Sequence, residues 1–361
     1  MFALNGGFEI RLLRTDDAIP YEEFVDRNAF LPLYGNRRFL SFLENVAECK
    51  AHVLLAFNGS KIVGSLPFAT AEREGVGCVV NSLPWYGSHG SVLVDRNLVA
   101  NGAGEEVTSA LLTEFARTID RPDLLSSTMI LLPDQEPHIA VYEKILRPVR
   151  YDRRVSQITE LPPGSDHVAQ GLEAIFKQKS RNLVRKSLKQ GFVEAVTGET
   201  WAWEFLVKTH ADNMAAIGGR AKPESHFQAM RANLPPEMLR LSVCLSDGVP
   251  AAAMLVFKVG GVYEYITPVI VQEFRSRQPL TFLIWMAMLE AVKSGYARWN
   301  WGGTWVGQEN LHRFKEGLGG IDRPYSYLIS ATEAGVAKLK EIKPQLGILF
   351  PNFYVYPYSE L

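Results

Sequence analysis

Two short apolar runs, His52 to Phe57 and Lys61 to Thr70, flank the dipeptide Asn58-Gly59. Asn-Gly between two such runs marks a tight hairpin, because its residues accept the positive φ of a type I′ turn. A third strand is expected around Val76 to Leu83, a helix from about Gly104 to Ile119, and another strand in Thr128 to Leu132. The same order returns later in the chain. Arg240 to Leu245 reads as a strand, Asp247-Gly248 as a second hairpin signal, and Pro250 to Lys258 as the returning strand. Gly260-Gly261 turns into Val262 to Pro268, a helix runs from Pro279 to Ser294, and Ala297 to Trp301 is the strand after it. Pro at the helix start and Gly295 just past its end sit where capping physics places them. Both halves read β-β-β-α-β, with the hairpin turns 189 residues apart. The pattern predicts an α/β protein built from two copies of one unit.

Leu161-Pro162-Pro163-Gly164-Ser165 disfavours regular structure and sets the expected boundary. It gives a first domain over 1–160 and a second over 161–361, the latter closing in an aromatic tail of Phe350, Phe353, Tyr354, Tyr356 and Tyr358. At 361 residues, 47% apolar and 21% charged, the chain can bury two cores. Its longest purely apolar run, Phe282 to Leu289, has eight residues, against the roughly 20 of a membrane-spanning helix. Glu9, Arg11, Arg14, Asp16 and Asp17 interrupt any signal-peptide pattern at the start. Cys49, Cys78 and Cys244 are far apart, and no Cys or His spacing suggests a metal. The expected location is the cytoplasm, with no metal and no membrane span; peripheral membrane contact stays open.

Charge changes this picture in one place. The formal net charge is −1, which excludes a DNA coater and an acidic disordered tail. Residues 1–150 carry 14 basic and 19 acidic side chains, net −5, and the remainder 24 and 20, net +4. The excess lies between Gly171 and Gly191, where six cations (Lys177, Lys179, Arg181, Arg185, Lys186 and Lys189) face one acid, Glu173. Leu172 to Lys189 is predicted as a helix with Lys177, Arg181, Arg185 and Lys189 on one stripe. Such a stripe is either a solvated face or a clamp for the phosphates of a nucleotide or an RNA backbone.

Two further stretches can carry chemistry. Trp299-Asn300-Trp301-Gly302-Gly303-Thr304, followed by Trp305, ends a strand in a double glycine that lets a ligand approach the backbone. In Arg313-Phe314-Lys315-Glu316-Gly317-Leu318-Gly319-Gly320, Lys315 stands between an aromatic and a glycine-rich turn, as either a fixed cation or a surface lysine. Glu264 lies on the third strand of the second repeat between Tyr263 and Tyr265. Alternation puts the glutamate on one sheet face and both tyrosines on the other.

These elements, in this order, resemble the FemABX family of peptidyl and aminoacyl transferases. The matching pieces are the basic Lys179 to Lys186 helix, the Trp-Asn-Trp-Gly-Gly strand end and the Arg313 to Gly320 motif. Ile62 to Pro67 and Ser82 to Gly87 are similar to the family's early strands, so the resemblance spans about Phe30 to Tyr327. It implies two tandem GNAT-like domains with mixed central sheets, and transfer of an aminoacyl or acyl group to an amine. The implied acceptor is a phosphate-bearing, nucleotide- or lipid-linked cell-wall or polysaccharide precursor. The donor is aminoacyl-tRNA or acyl-CoA, with no tightly bound cofactor and no DNA.

By the motif match, Lys315 would face the acceptor or transferred group, and Arg181 and Arg185 the phosphates. Tyr263, Tyr265, Asn300, Trp301, Trp305, Arg313 and Phe314 would line the substrate, and Glu264 is the candidate proton acceptor. Two departures stand out. Asn300-Trp301 replaces the acidic residue often found before the double glycine, and the helical-hairpin arm of some members is missing between Gly191 and Arg240. An ordinary GNAT holds the pyrophosphate of coenzyme A on backbone N–H groups at a helix start. Here Arg275-Ser276-Arg277-Gln278-Pro279-Leu280 removes one N–H outright, leaving Arg275 and Arg277 as side-chain phosphate ligands. The rival readings are a coenzyme A-dependent N-acetyltransferase acting on an amino sugar or small amine, and an inactive nucleotide-sugar or RNA binder.

Overall fold

The computed structural model describes residues 3–5, 7–85, 89–164, 166–304 and 307–361, with side chains described from residue 7 onward. The chain opens with β1 (Ala3–Asn5), β2 (Phe8–Leu12), α1 (Ala18–Asn28) and α2 (Arg37–Ala47). It continues through β3 (Lys50–Asn58), β4 (Lys61–Arg73), β5 (Gly77–Asn81), β6 (Leu93–Val94), α3 (Gly104–Ile119), β7 (Leu124–Ile130) and α4 (Ile139–Leu146). Next come β8 (Arg150–Glu160), α5 (Val168–Ile175), α6 (Gln178–Leu188), β9 (Val193–Val196), α7 (Thr200–Ala216) and α8 (Glu224–Asn233). Strands β10 (Leu239–Ser246), β11 (Val249–Val259) and β12 (Val262–Ile270) precede α9 (Pro279–Lys293), β13 (Arg298–Thr304) and α10 (Glu309–Gly317). The chain closes with β14 (Ile321–Ser330) and α11 (Glu333–Glu341).

Two compact units result: Met1–Arg154 with Pro324–Leu361, and Val155–Arg323. In the first, the strand order is β1-β2-β3-β4-β5-β7-β14, and in the second β9-β10-β11-β12-β13-β8. Each unit contains an antiparallel meander (β3-β4-β5 and β10-β11-β12) followed by one parallel pair, β5 with β7 and β12 with β13. A parallel pair needs a long crossover, and α3 and α9 supply it. Gly59 at φ +60° turns the first hairpin; Asp247 at φ 52° and Gly248 at φ 81° turn the second. The doubled β-β-β-α-β unit of the sequence is therefore the architecture, a tandem GNAT-type α/β fold.

The structure differs from the sequence expectation in three places. Residues 324–361 group with the first unit, where Tyr325, Tyr327, Ile329, Leu339 and Phe350 share a core with Val79 and Leu125. The basic helix over 172–189 is two helices. Phe176 is extended at φ −83°, ψ 143°, buries its ring 5.9 Å from that of Trp285, and the Lys177 N–H donates to Gly317 O at 2.9 Å. Strand β8 was not foreseen at all, and its residues from Val155 onward pair with β13.

Candidate active site

All the candidate site residues lie in the second unit. Parallel pairing of β12 with β13 runs through Val262↔Arg298, Tyr263↔Trp299 and Glu264↔Asn300. Beyond that pair, β12 stays with β11 as far as Ile270, and β13 pairs with β8 as far as Thr304. The two strands therefore part at Glu264 and Asn300. Ligands of open α/β sheets bind where neighbouring strands diverge at their carboxyl ends.

Glu264 is 2% exposed. Asn300 Nδ2 donates to its Oε2 at 2.7 Å, while Asn300 Oδ1 accepts from the Gly302 N–H at 2.9 Å and from Ser156 Oγ at 3.4 Å. Glu264 Oε1 has no hydrogen-bond partner. Burial pushes the carboxyl up to about 8, and the Asn300 bond opposes part of that shift. The result is a buried carboxyl poised to exchange a proton near neutral pH.

Alternation held: Tyr263 and Tyr265 are on the opposite face. Tyr263 stacks on Trp299 at 5.7 Å, and Tyr265 meets Trp301 at 5.1 Å and Trp299 at 6.0 Å. Phe314 lies 6.1 Å from Trp301, and all of them pack with Leu283, Met288 and Val184. The Tyr263 hydroxyl donates to Glu290 Oε1 at 3.1 Å, and Trp301 Nε1 donates to Thr159 Oγ1 at 2.8 Å. Tyr263, Tyr265, Trp301 and Phe314 are thus the packed floor beneath α9 rather than residues on the Glu264 face. Trp305 lies outside the described residues.

Lys315 is 3% exposed and comes to the strand end from α10. Its Nζ donates to Gly302 O and Gly303 O, each at 3.2 Å, and to Thr304 Oγ1 at 2.8 Å. An ammonium has three N–H donors, and all three are met. Burial pulls its pKa down to about 8. The expected free cation facing a substrate is instead turned inward, where it fixes the end of β13. Gly302, at φ +70°, takes a backbone conformation few other residues accept. At Gly317 a Cβ would stand 2.5 Å from Ser180 Oγ, so a larger residue there would have to turn the Ser180 hydroxyl aside where α10 meets α6. Gly320 N–H donates to Lys315 O and Gly319 N–H to Glu316 O, which closes the helix end.

Gln157 and Thr159 on β8 extend this network. Thr304 Oγ1 donates to Gln157 Oε1 at 3.4 Å, and Gln157 Nε2 donates to His312 O at 3.2 Å. His312 Nε2 lies 2.9 Å from either oxygen of Asp322. Thr304, Gly307, Gln308, His312 and Arg313 are among the residues lining a cavity of about 410 Å³ beside the strand end. Arg313 itself is exposed and pairs with Glu309 at 2.6 Å. Sequence reasoning missed Ser156, Gln157 and Thr159, because Val155 to Thr159 alternates too weakly to mark a strand.

The basic stripe is largely engaged by its own unit. Arg181 Nη1 donates to Phe176 O at 2.7 Å and Glu173 O at 3.3 Å, capping the carbonyl end of α5. Arg185 pairs with Glu173 at 2.6 Å and Lys177 with Glu316 at 2.5 Å. Lys179, Lys186 and Lys189 are exposed. Arg277 donates to Gln190 Oε1 at 3.1 Å, Gln190 O at 3.0 Å and Ser246 Oγ at 2.8 Å, whereas Arg275 reaches Gln272 at 3.4 Å. Gln278 precedes α9 at φ 67° and Pro279 is its first residue, so this helix start lacks one N–H. Among the described residues no group of three His, Cys, Asp or Glu side chains could hold a metal ion, and no helix is long and apolar enough to cross a membrane.

Residues 175–316 match the family model described as an acetyltransferase (GNAT) domain. That stretch lies within the second unit, and the doubled architecture has the same GNAT-type fold. The fold of the chain is similar to that of FemX, at a TM-score of 0.65 and 12% identity over 92% of this chain and 100% of that one. L-PGS from Bacillus licheniformis is similar at a TM-score of 0.52 and 13% identity, covering 91% of this chain and 96% of that one. A tandem GNAT protein of the clavulanic acid biosynthesis pathway is similar at 0.52 and 15%, over 89% and 98%. No curated protein matches the sequence.

Proposed function

We propose that this protein transfers an aminoacyl group from aminoacyl-tRNA to an amine of a phosphate-bearing cell-wall or polysaccharide precursor in the cytoplasm. The observation that carries the reading is Glu264, buried where β12 and β13 part, held by Asn300 and raised to about 8. The acceptor nitrogen forms a bond to the ester carbonyl carbon and passes its proton to the Glu264 carboxylate. The C–O bond to the donor then breaks, its electron pair leaves with the ribose oxygen, and that oxygen takes up a proton. Each step is within reach of one well-placed carboxylate. The carbonyl oxygen becomes an oxyanion in between, and preorganised donors stabilise such a charge by about 3 kcal/mol each. Lys315 serves this step indirectly, by holding Gly302 to Thr304 in one conformation.

Acyl-CoA is the second donor, favoured by the match to the acetyltransferase domain family. In that case a C–S bond breaks and a thiolate leaves, with Glu264 in the same role. The helix start at Gln278-Pro279 weighs against it, because a pyrophosphate cradle there would lack one N–H. The deciding experiment offers radiolabelled aminoacyl-tRNA and acetyl-CoA separately, with a nucleotide-linked muropeptide and an amino-sugar nucleotide as acceptors. Label from aminoacyl-tRNA into the muropeptide is expected. Label from acetyl-CoA alone would overturn the first reading, and label from neither would leave an inactive binding protein.

A further inference from the structure

We propose that Thr267 is the second hydrogen-bond partner of the acceptor nitrogen, forming with Glu264 a seat selective for unhindered primary amines. This rests on the role given to Glu264 above and extends it to a residue outside every motif in the sequence. Three places apart on a regular strand, residues 264 and 267 would face opposite ways. The register shows why they do not. Val256 pairs with Tyr265 but Leu255 pairs with Thr267, so Ile266 is an extra residue bulged out of β12. A bulge re-aims the side chains that follow it. Glu264, opposite Phe257, and Thr267, opposite Leu255, therefore share the face away from the Tyr263 and Trp299 cluster.

Both side chains present an unmet polar atom there. Thr267 is 1% exposed and its Oγ1 has no partner; Glu264 is 2% exposed and its Oε1 has none. Buried polar atoms are almost always hydrogen-bonded, so two unmet ones on one face, next to diverging strands, point to a bound group. A primary amine supplies two N–H donors, one for each oxygen. With both committed, its lone pair is left for the attack. A secondary amine has a single N–H and leaves one oxygen unmet. Lys222 Nζ donates to the carbonyl oxygen of the bulged Ile266 at 3.4 Å, which holds the bulge in place.

The test uses the whole protein at pH 8 with 2,2,2-trifluoroethylamine, a primary amine that is uncharged there, as probe, following the ¹³C resonance of the Glu264 carboxyl during titration. Thr267→Val should weaken binding by about tenfold, the size of one neutral hydrogen bond, and Thr267→Ser should restore it. Its N-methyl derivative should bind the wild type more weakly than the primary amine by a similar factor, and Thr267→Val should erase that preference. Unchanged binding in Thr267→Val overturns the proposal. So does a carboxyl signal that the primary amine does not move, which would mean that a buried water joins the two oxygens. Because this readout needs no acyl transfer, binding of the primary amine without label transfer would defeat the proposed function and leave the seat standing. Transfer indifferent to Thr267→Val would do the reverse.

Discussion

Glu264 and Lys315 are both buried titratable groups near 8, yet they reach β13 from opposite faces and do different work. For Glu264 the ordinary value is 4.5, so between 4.5 and about 8 the folded protein holds a proton that the unfolded chain has released. Its contribution to stability is complete below the lower value and is lost as pH rises through about 8. Glu264→Gln stays neutral throughout and keeps the bond from Asn300. Its stability relative to wild type should grow over that span, reaching on the order of 2–4 kcal/mol at pH 8; denaturant melts at pH 5 and pH 8 measure the difference. The same substitution should abolish the rise in transfer rate as pH approaches 8, because that limb requires the carboxylate. A Gln variant that retains the limb would remove Glu264 as the base.

Lys315 can be separated from it. Replacing it with Ala strips three hydrogen bonds from Gly302, Gly303 and Thr304, and leaves the buried Thr304 acceptor short of a partner at about 1–3 kcal/mol. Transfer should slow at least about tenfold, and amide exchange at residues 302–304 should accelerate in parallel. A fall in transfer with unchanged exchange would mean that the ammonium acts on the substrate itself. The Arg313 to Gly320 pattern made Lys315 stand out in the sequence, and its glycines are explained by the helix closure and the contact with Ser180. Nothing in that pattern states which way the amine turns. Partners on β13 and β8, more than ten residues away along the chain, decide it.

At the scale of elements, strands and turns were readable wherever local chemistry decides them. The helices over 104–119 and 279–293, both hairpins and the alternation about Glu264 follow from composition within a few residues. The basic helix was less readable, because its break at Phe176 depends on Trp285 and Gly317, both distant in sequence. That break changes which cations can meet a phosphate. Arg181 caps α5, so Arg181→Ala should cost about 1 kcal/mol of stability and leave the salt dependence of RNA affinity alone. Lys179→Ala with Lys186→Ala, by contrast, removes two exposed charges. It should lower the slope of log affinity against log salt by about 1–2, as measured by filter binding of tRNA at several salt concentrations. An unchanged slope would reduce the stripe to a solvated face.

For the whole molecule, the doubled pattern was legible but the path of the chain through it was not. A repeat read along the sequence suggests two consecutive blocks, whereas the compact units are interleaved: 1–154 is completed by 324–361. No local signal announces this, since the pairing of Tyr327 with Ile130 and of Ser330 with Ser127 spans some two hundred residues. The core states the consequence. Tyr325, Tyr327, Ile329, Leu339 and Phe350 are all buried with Val79, Leu125 and Ile130 of the same unit. Truncation before Pro324 should therefore unfold the first unit and leave 155–323 with its strands intact. Phe350→Ala alone should cost about 3–5 kcal/mol as a large-to-small change in a packed core. The decisive comparison replaces 155–323 by a flexible Gly-Ser linker between Arg154 and Pro324. If the units are as assigned, this shortened chain folds cooperatively by calorimetry, and 1–154 alone does not. Cooperative folding of 1–154 without the tail would instead make the boundary near 161 the true division and the tail an accessory.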